Sequence, residues 1–186
     1  MPQLAASVDA STARLTNIVL ASTLAANWGI YGPAFELIEH TAVREGSEEY
    51  LDSEKYQLRH WDLDDPRTLA PLLQLLNDIR HRHPALQHLA GLRFHGTDND
   101  ALLCYSKLEP GGTDAVVVIV NLDPFAVQAG WLDIDLAAIG VPYESTYTVH
   151  DELGGGTYTW QGGRNWVRLD PHGLPAHVLA IGEVRA

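Results

Sequence analysis

Residues 12–26 carry the hydrophobic period of an amphipathic helix. Leu15, Ile18, Val19 and Ser22 recur at spacings of three and four, which places them on one helical face. Asn27-Trp28-Gly29 follows, and glycine is common just after a helix C-terminus. The pattern predicts a helix over residues 12–26, then a very short buried strand at Ile30-Tyr31.

A second helical period runs over residues 66–83. Asp64 and Asp65 are candidate N-caps, and Pro66 suits the first helical position. The basic run 80–83 complements the negative end of the helix dipole, and Pro84 stops the helix. The predicted apolar stripe consists of Leu69, Leu72, Leu73, Leu76 and Ile79.

Beyond residue 91 the pattern changes to short β-type runs separated by turns rich in Gly, Pro and Asp. Many short strands at this spacing predict an antiparallel β-sandwich. Residues 115–120 are apolar at every position, which predicts a central strand covered on both faces. The eight predicted strands are 92–95, 101–107, 115–121, 131–135, 145–149, 157–160, 165–169 and 176–181.

Residues 38–63 show neither period and are crowded with carboxylates. Loops of this length inside a compact domain are usually functional or disordered. Tyr50, Tyr56 and Trp61 argue for order. The segment is therefore where a site is expected.

Charge and composition exclude several classes of protein. Twelve basic against 24 acidic residues give the 186-residue chain a net charge of −12, which disfavours nucleic acid and anionic membrane surfaces as partners. The apolar stretches are too short to span a bilayer, and the single Cys104 excludes an internal disulfide. With no signal-like N-terminus, the expectation is a soluble cytoplasmic protein.

Two interpretations of residues 48–57 stay open on spacing alone. Lys55 and Tyr56 could bind a sugar through hydrogen bonds and ring stacking, or the segment could be a solvated acidic loop with Lys55 in a surface ion pair. Glycoside chemistry needs a pair of carboxylates, but the segment holds too many acids to choose one.

Other candidate residues have commoner structural roles. His81 and His83 do not share a helical face, so helix-end charge explains them better than a metal, and no metal or cofactor is expected. Trp131, Trp160 and Trp166 form either a carbohydrate platform or, as sandwich tryptophans more often do, part of the core or edge packing.

Several sequence stretches resemble one enzyme family. The run Glu-Tyr-Leu-Asp-Ser-Glu-Lys-Tyr at 49–56, with residues 28–37 and 59–62, closely resembles α-1,4-glucan:maltose-1-phosphate maltosyltransferases of the α-amylase superfamily. Common amylases lack the 49–56 run. The resemblance covers roughly residues 13–182 and continues in the stretches 93–100, 103–107, 120–124, 149–151 and 175–177.

The resemblance implies an α+β chain with two parts. Residues 1–88 would be the incomplete end of a catalytic (β/α)8 barrel, with two main helices, a short strand and a long loop on the catalytic face. Residues 89–186 would be a C-terminal antiparallel all-β sandwich, which we expect to fold independently over residues 91–183.

The resemblance also implies a reaction and a site. The family transfers maltosyl units from α-maltose 1-phosphate to α-1,4-glucan with retention, through a covalent intermediate. Lys55 and Tyr56 match the Lys-Tyr pair that hydrogen-bonds the maltosyl unit, and Ser53 and Glu54 would shape that loop. The family's catalytic acids lie upstream of the segment matched by residues 13–27. The expectation is therefore no catalytic residue here and no activity alone.

Two alternatives remain. The chain could be a stand-alone α-glucan-binding sandwich, or a structural module that completes another chain's barrel or a homodimer. Without the rest of the barrel, the stripe on the second helix must pack on the sandwich, on residues 15–22 or on a second copy. We expect it to drive self-association or aggregation.

Overall fold

The computed structural model describes residues 12–39 and 41–185. Three helices are α1 (Thr12–Leu24), α2 (Gly32–Glu36) and α3 (Ala70–Arg82), with 3₁₀ turns at Pro84–Gln87 and Leu136–Ile139. The strands are β1 (Arg93–Thr97), β2 (Leu102–Leu108), β3 (Ala115–Asn121), β4 (Gln128–Asp133), β5 (Thr146–Asp151), β6 (Thr157–Gln161), β7 (Arg164–Leu169) and β8 (Ala176–Arg185). Both main helices and all eight predicted strands are confirmed.

The strands form one antiparallel sheet in the order β6-β5-β8-β3-β2-β1-β4-β7. Strand β1 pairs with β2 and also with β4, so it belongs to both layers of the fold. Side chains from both layers enclose a single apolar core that includes Cys104, Val117, Leu132 and Trp160. The predicted sandwich is therefore a nearly closed sheet whose two layers are continuous through β1.

Strand β3 is buried along its whole length, as its unbroken apolar run predicts. Ala115, Val117 and Ile119 face the core inside the sheet. Because successive strand residues point to opposite faces, Val116, Val118 and Val120 lie on the outer face, and these three valines are also fully buried. Helix α1 packs against this strand, and the Thr16 hydroxyl donates to the Asn121 carbonyl at 3.2 Å.

The chain divides into two compact units. Among the described residues, the β unit contains the sheet with residues 12–28 and 75–185, and the remaining residues between Gly29 and Gln74 form the loop unit. The proposed division into a barrel end (1–88) and a sandwich (89–186) follows family resemblance and remains a prediction, as does the barrel fragment itself.

Two predictions about local structure are wrong. Ile30 and Tyr31 form no strand and lead directly into α2. Helix α3 begins at Ala70 and not at Pro66, because Asp65 does not cap a helix there. The Asp65 carboxylate accepts hydrogen bonds from the backbone N–H and the guanidinium of Arg67, and its carbonyl accepts from the N–H of Thr68. These bonds make a turn, and the Thr68 hydroxyl then accepts from the Ala70 N–H at 3.2 Å.

The apolar stripe of α3 is satisfied within the chain. All five side chains of the stripe are buried, namely Leu69, Leu72, Leu73, Leu76 and Ile79. Leu76 and Ile79 have no exposed surface. Because the stripe is buried, it is not an exposed apolar surface that could drive self-association.

Among the described residues, no helix is long and apolar enough to cross a membrane.

Two buried cationic side chains, Arg80 and Lys107, cap the C-terminal end of helix α1 within the β unit. The Arg80 guanidinium donates to the carbonyls of Ser22, Ala25, Ala26 and Leu86. Lys107 adds a bond from Nζ to the Leu24 carbonyl at 3.2 Å. Burial and the nearby Arg80 charge lower the pKa of Lys107 to about 8. These donors satisfy carbonyls that the end of a helix leaves without partners.

His83 joins the end of α3 to two other segments. Its Nδ1 lies 2.8 Å from Asp114 Oδ1, and its Nε2 lies 3.4 Å from Glu152 Oε1. Arg82 also pairs with Glu152. The hydrogen bond to Asp114 raises the pKa of His83, and the charges of Asp114 and Glu152 add to this against the opposing effect of burial.

We expect His83 to make stability fall as pH rises from 6 to 8. Its folded-state pKa is raised, so its contribution is complete below the unfolded pKa near 6.5 and is lost as pH rises through the folded value. The measurement is urea denaturation of wild type and His83→Gln at both pH values. An equal pH dependence in the two proteins would contradict the assignment.

Candidate functional site

A small hairpin opens the long loop of the loop unit. Val43 N–H donates to the Glu49 carbonyl at 2.9 Å, and Leu51 N–H donates to the Thr41 carbonyl at 2.6 Å. These bonds flank an antiparallel bridge between Ala42 and Tyr50. The hairpin delivers the chain to residues 52–57, where the sequence predicts the site.

Ser53 anchors the turn that carries the predicted binding residues. It is only 8% exposed, and its carbonyl accepts from the N–H groups of Tyr56 at 3.0 Å and Gln57 at 3.2 Å. Its hydroxyl accepts from Lys55 N–H at 3.3 Å. The buried Ser53 thus fixes the backbone from which Lys55 and Tyr56 project.

Lys55 and Tyr56 lie side by side and are exposed. Lys55 Nζ is 4.8 Å from the centre of the Tyr56 ring and 3.9 Å from Glu49 Oε1. The Tyr56 hydroxyl, followed by the Glu49 charge, raises the pKa of Lys55, so its ammonium group stays charged at neutral pH. The long contact to Glu49 between exposed groups contributes little to stability.

Two tyrosines converge on Glu54. The Tyr50 hydroxyl donates to Glu54 Oε2, and this bond lowers the pKa of Glu54. Burial and Glu54 raise the pKa of Tyr50 to about 12. The Glu54 charge also raises the pKa of the exposed Tyr31. Glu54 therefore stays ionised and ties the turn to the start of the loop unit.

Arg59 organises this loop, although sequence reasoning gave it no role. Its Nη1 donates to the carbonyls of Leu51 at 2.9 Å and Asp52 at 3.4 Å, and its Nη2 pairs with Glu39. Its guanidinium also lies 4.3 Å from the Trp61 ring centre. The signal was present in the 59–62 stretch that carries the family resemblance.

Replacing Arg59 with alanine is expected to loosen the site loop without unfolding the β unit. The change removes two carbonyl contacts, an ion pair and contacts with the rings of Tyr50 and Trp61 at once. We expect the amides of Val43, Leu51 and Tyr56 to exchange with solvent about tenfold faster or more. Hydrogen-exchange mass spectrometry measures this. The exposed Arg67, paired locally with Asp65, supplies the control Arg67→Ala, and equal exchange in the two variants would contradict the role of Arg59.

The remaining candidate residues form no metal site or nucleophilic centre among the described residues. Within the described ranges, no group of three or more His, Cys, Asp or Glu side chains could hold a metal ion. Burial raises the pKa of the Cys104 thiol to about 12, which keeps it inert. Trp160 packs in the core, whereas Trp131 and Trp166 are register partners with half-exposed side chains.

The fold has a counterpart among solved structures. A noncanonic maltogenic α-amylase, AmyB from Thermotoga neapolitana, superimposes with a TM-score of 0.64 over 98% of this chain and 39% of its own, at 12% identity. At that identity the likeness defines the fold alone. Residues 94–181 match the family described as GLGE, C-terminal.

Curated relatives with high sequence identity to this chain are maltosyltransferases. The chain is 51% identical over 167 residues to α-1,4-glucan:maltose-1-phosphate maltosyltransferase 2 of Streptomyces coelicolor, covering 88% of this chain and 24% of that protein. It is 48% identical over 165 residues to the Mycolicibacterium smegmatis enzyme of that name, covering 87% and 23%. The chain therefore matches the C-terminal portion of these maltosyltransferases and spans about a quarter of their length.

Proposed function

We propose that this chain is the C-terminal portion of an enzyme that transfers maltosyl units from α-maltose 1-phosphate to α-1,4-glucan. The observation that carries the proposal is the 51% identity to a maltosyltransferase over 88% of the chain. The exposed Lys55-Tyr56 pair on a well-anchored turn is consistent with a binding role. The cytoplasmic location and the contribution of a homodimer remain predictions.

In this proposal Lys55 and Tyr56 hold the maltosyl unit of the donor. A charged ammonium group offers three donors and a phenol offers one more, which suits sugar hydroxyls that accept hydrogen bonds. Ser53 fixes the backbone beneath the pair, and Glu54 fixes the turn through Tyr50. These residues orient the donor, and the nucleophile and acid/base belong to the catalytic portion of the enzyme. The 186 residues are therefore expected to transfer no maltosyl on their own.

A chimera tests this function. The matched C-terminal segment of the Streptomyces coelicolor enzyme is replaced by that of this chain, and phosphate release from α-maltose 1-phosphate is measured with a glucan acceptor. We expect the chimera to be active and the isolated 186-residue chain to be inactive. A folded but inactive chimera, or turnover by the isolated chain, contradicts the proposal.

A further inference from the structure

A groove of about 280 Å³ opens in the β unit between the two edges of the sheet. Its lining includes Tyr158 and Trp160 of β6, Trp166 and Arg168 of β7, and His177 and Leu179 of β8. Strands β6 and β7 are consecutive in the chain but stand at opposite ends of the sheet order. The nearly closed sheet therefore leaves a cleft between them.

The turn that joins β6 to β7 is held in place. Gly162 N–H donates to the Ser145 carbonyl at 3.2 Å, and the Gly163 carbonyl accepts from Ile134 N–H at 2.8 Å. A Cβ at Gly163 would lie 2.3 Å from the Ile134 carbonyl oxygen, so only glycine permits this approach. The end of the groove is thus fixed by contacts to two other parts of the fold.

The walls of the groove present aromatic rings to solvent. Tyr158 is 46% and Trp166 is 52% exposed. Trp166 is the register partner of Trp131 across the β4–β7 pair, so the aromatic surface continues beyond the groove. Trp160, by contrast, is buried and packs edge-to-face on Tyr147, with ring centres 6.2 Å apart. Trp160 therefore stiffens one wall, while Trp166 and Tyr158 offer free ring surface.

Polar groups complete the lining. His177 Nδ1 lies 2.8 Å from Asp151 Oδ2, and the fully buried Asp151 also accepts from the N–H groups of Leu153 and Val178. The imidazole ring is thus held in one orientation, with its centre 6.3 Å from that of Tyr158. Arg168 is exposed on the opposite wall and provides guanidinium donors.

We propose that this groove binds a stretch of α-1,4-glucan. Pyranose rings have apolar faces that stack on aromatic rings and hydroxyl edges that bond to polar groups, and the groove supplies both. Its volume is near the lower limit of ligand sites, ~300–1,000 Å³, which suits a short segment of a longer chain. The choice of α-1,4-glucan over other sugars rests on the proposed function. The groove would hold glucan through the β unit's own residues, independently of Lys55 and Tyr56.

Calorimetric titration of the 186-residue chain with maltoheptaose tests the proposal, with cellohexaose as the β-linked comparison. We expect maltoheptaose to bind more tightly than cellohexaose. Trp166→Ala and Tyr158→Ala should each weaken binding about tenfold. Trp166→Phe keeps an aromatic ring and should retain most of the affinity. This variant shows whether the loss in Trp166→Ala comes from the missing ring and not from misfolding. Tyr143→Ala, at an exposed aromatic position outside the groove, should leave binding unchanged.

The outcomes separate this site from the donor loop. Binding weakened by Trp166→Ala but not by Lys55→Ala supports the groove even if the chimera is inactive. Binding weakened only by Lys55→Ala or Tyr56→Ala overturns the groove and leaves the proposed function standing. The groove proposal is also overturned if maltoheptaose does not bind. It is likewise overturned if Trp166→Ala changes only the self-association of the chain and not its affinity for maltoheptaose.

Discussion

Replacing Arg80 with alanine is expected to lower the free energy of unfolding by about 3–4 kcal/mol. Arg80 is 9% exposed, and its guanidinium donates to carbonyls at the end of α1 and to the Leu86 carbonyl. A hydrogen bond to a charged group contributes about 1.5–3 kcal/mol, and buried carbonyls left without donors add a further cost. Urea denaturation followed by circular dichroism measures the loss.

Arg82→Ala is the matched control. Arg82 is two residues away on the same helix, and its half-exposed side chain pairs with Glu152. Exposed ion pairs contribute about 0–1 kcal/mol, and Glu152 keeps His83 at 3.4 Å as a second partner, so removal of Arg82 should cost far less. Arg80→Lys should fall between the two, because an ammonium group keeps the charge but loses the forked geometry. Equal losses in Arg80→Ala and Arg82→Ala would show that the carbonyl contacts do not hold α1.

Removing residues 1–88 is expected to cost the β sheet most of its stability. The sequence predicts an independent sandwich, but α1 and the Pro84–Gln87 turn pack against β3. Their loss exposes Val116, Val118 and Val120, and burial of each valine contributes about 1.5–3 kcal/mol. A domain's total stability is about 5–15 kcal/mol. We expect residues 89–186 to melt at much lower temperature and to bind a hydrophobic dye.

A pair of substitutions supplies the control for this truncation. Val116→Thr with Val118→Thr makes the outer face of β3 more polar and keeps the β-branched shape. We expect the change to improve the solubility of residues 89–186 but to destabilise the full chain, where that face is buried. A cooperative, dye-free melt of the unmodified 89–186 polypeptide would instead support the domain boundary at residue 88.

The strands were predictable because each carries its own local signal. Short β-type runs bounded by Gly, Pro and Asp set their number, and the unbroken apolar run of β3 indicated burial on both faces. The pairing of β1 with both β2 and β4 was not predictable, because strand order depends on contacts distant in sequence. The start of α3 was missed since Asp65 bonds to Arg67 instead of capping a helix.

The location of the candidate site was predictable from sequence, but the contacts that hold its loop in place were not. The 49–56 run pointed to Lys55 and Tyr56 through resemblance, whereas spacing alone did not distinguish a sugar site from a solvated loop. Arg59 was missed because its role depends on partners at Glu39 and Leu51, which only the folded loop brings within reach. The sequence left open whether Trp131, Trp160 and Trp166 form a carbohydrate platform or pack in the core, because their burial cannot be read from sequence, and in the structure Trp160 is buried while Trp166 is half-exposed.

Steady-state kinetics of the active chimera test whether the 53–56 turn binds the donor sugar. In the active chimera, kcat/KM for α-maltose 1-phosphate is compared between wild type, Lys55→Ala and Arg44→Ala. Arg44 is an exposed cation on the neighbouring hairpin. We predict a loss of about tenfold or more for Lys55→Ala and little change for Arg44→Ala. An unchanged kcat/KM in the Lys55→Ala chimera, or an equal loss in both variants, would show that the 53–56 turn does not bind the donor sugar.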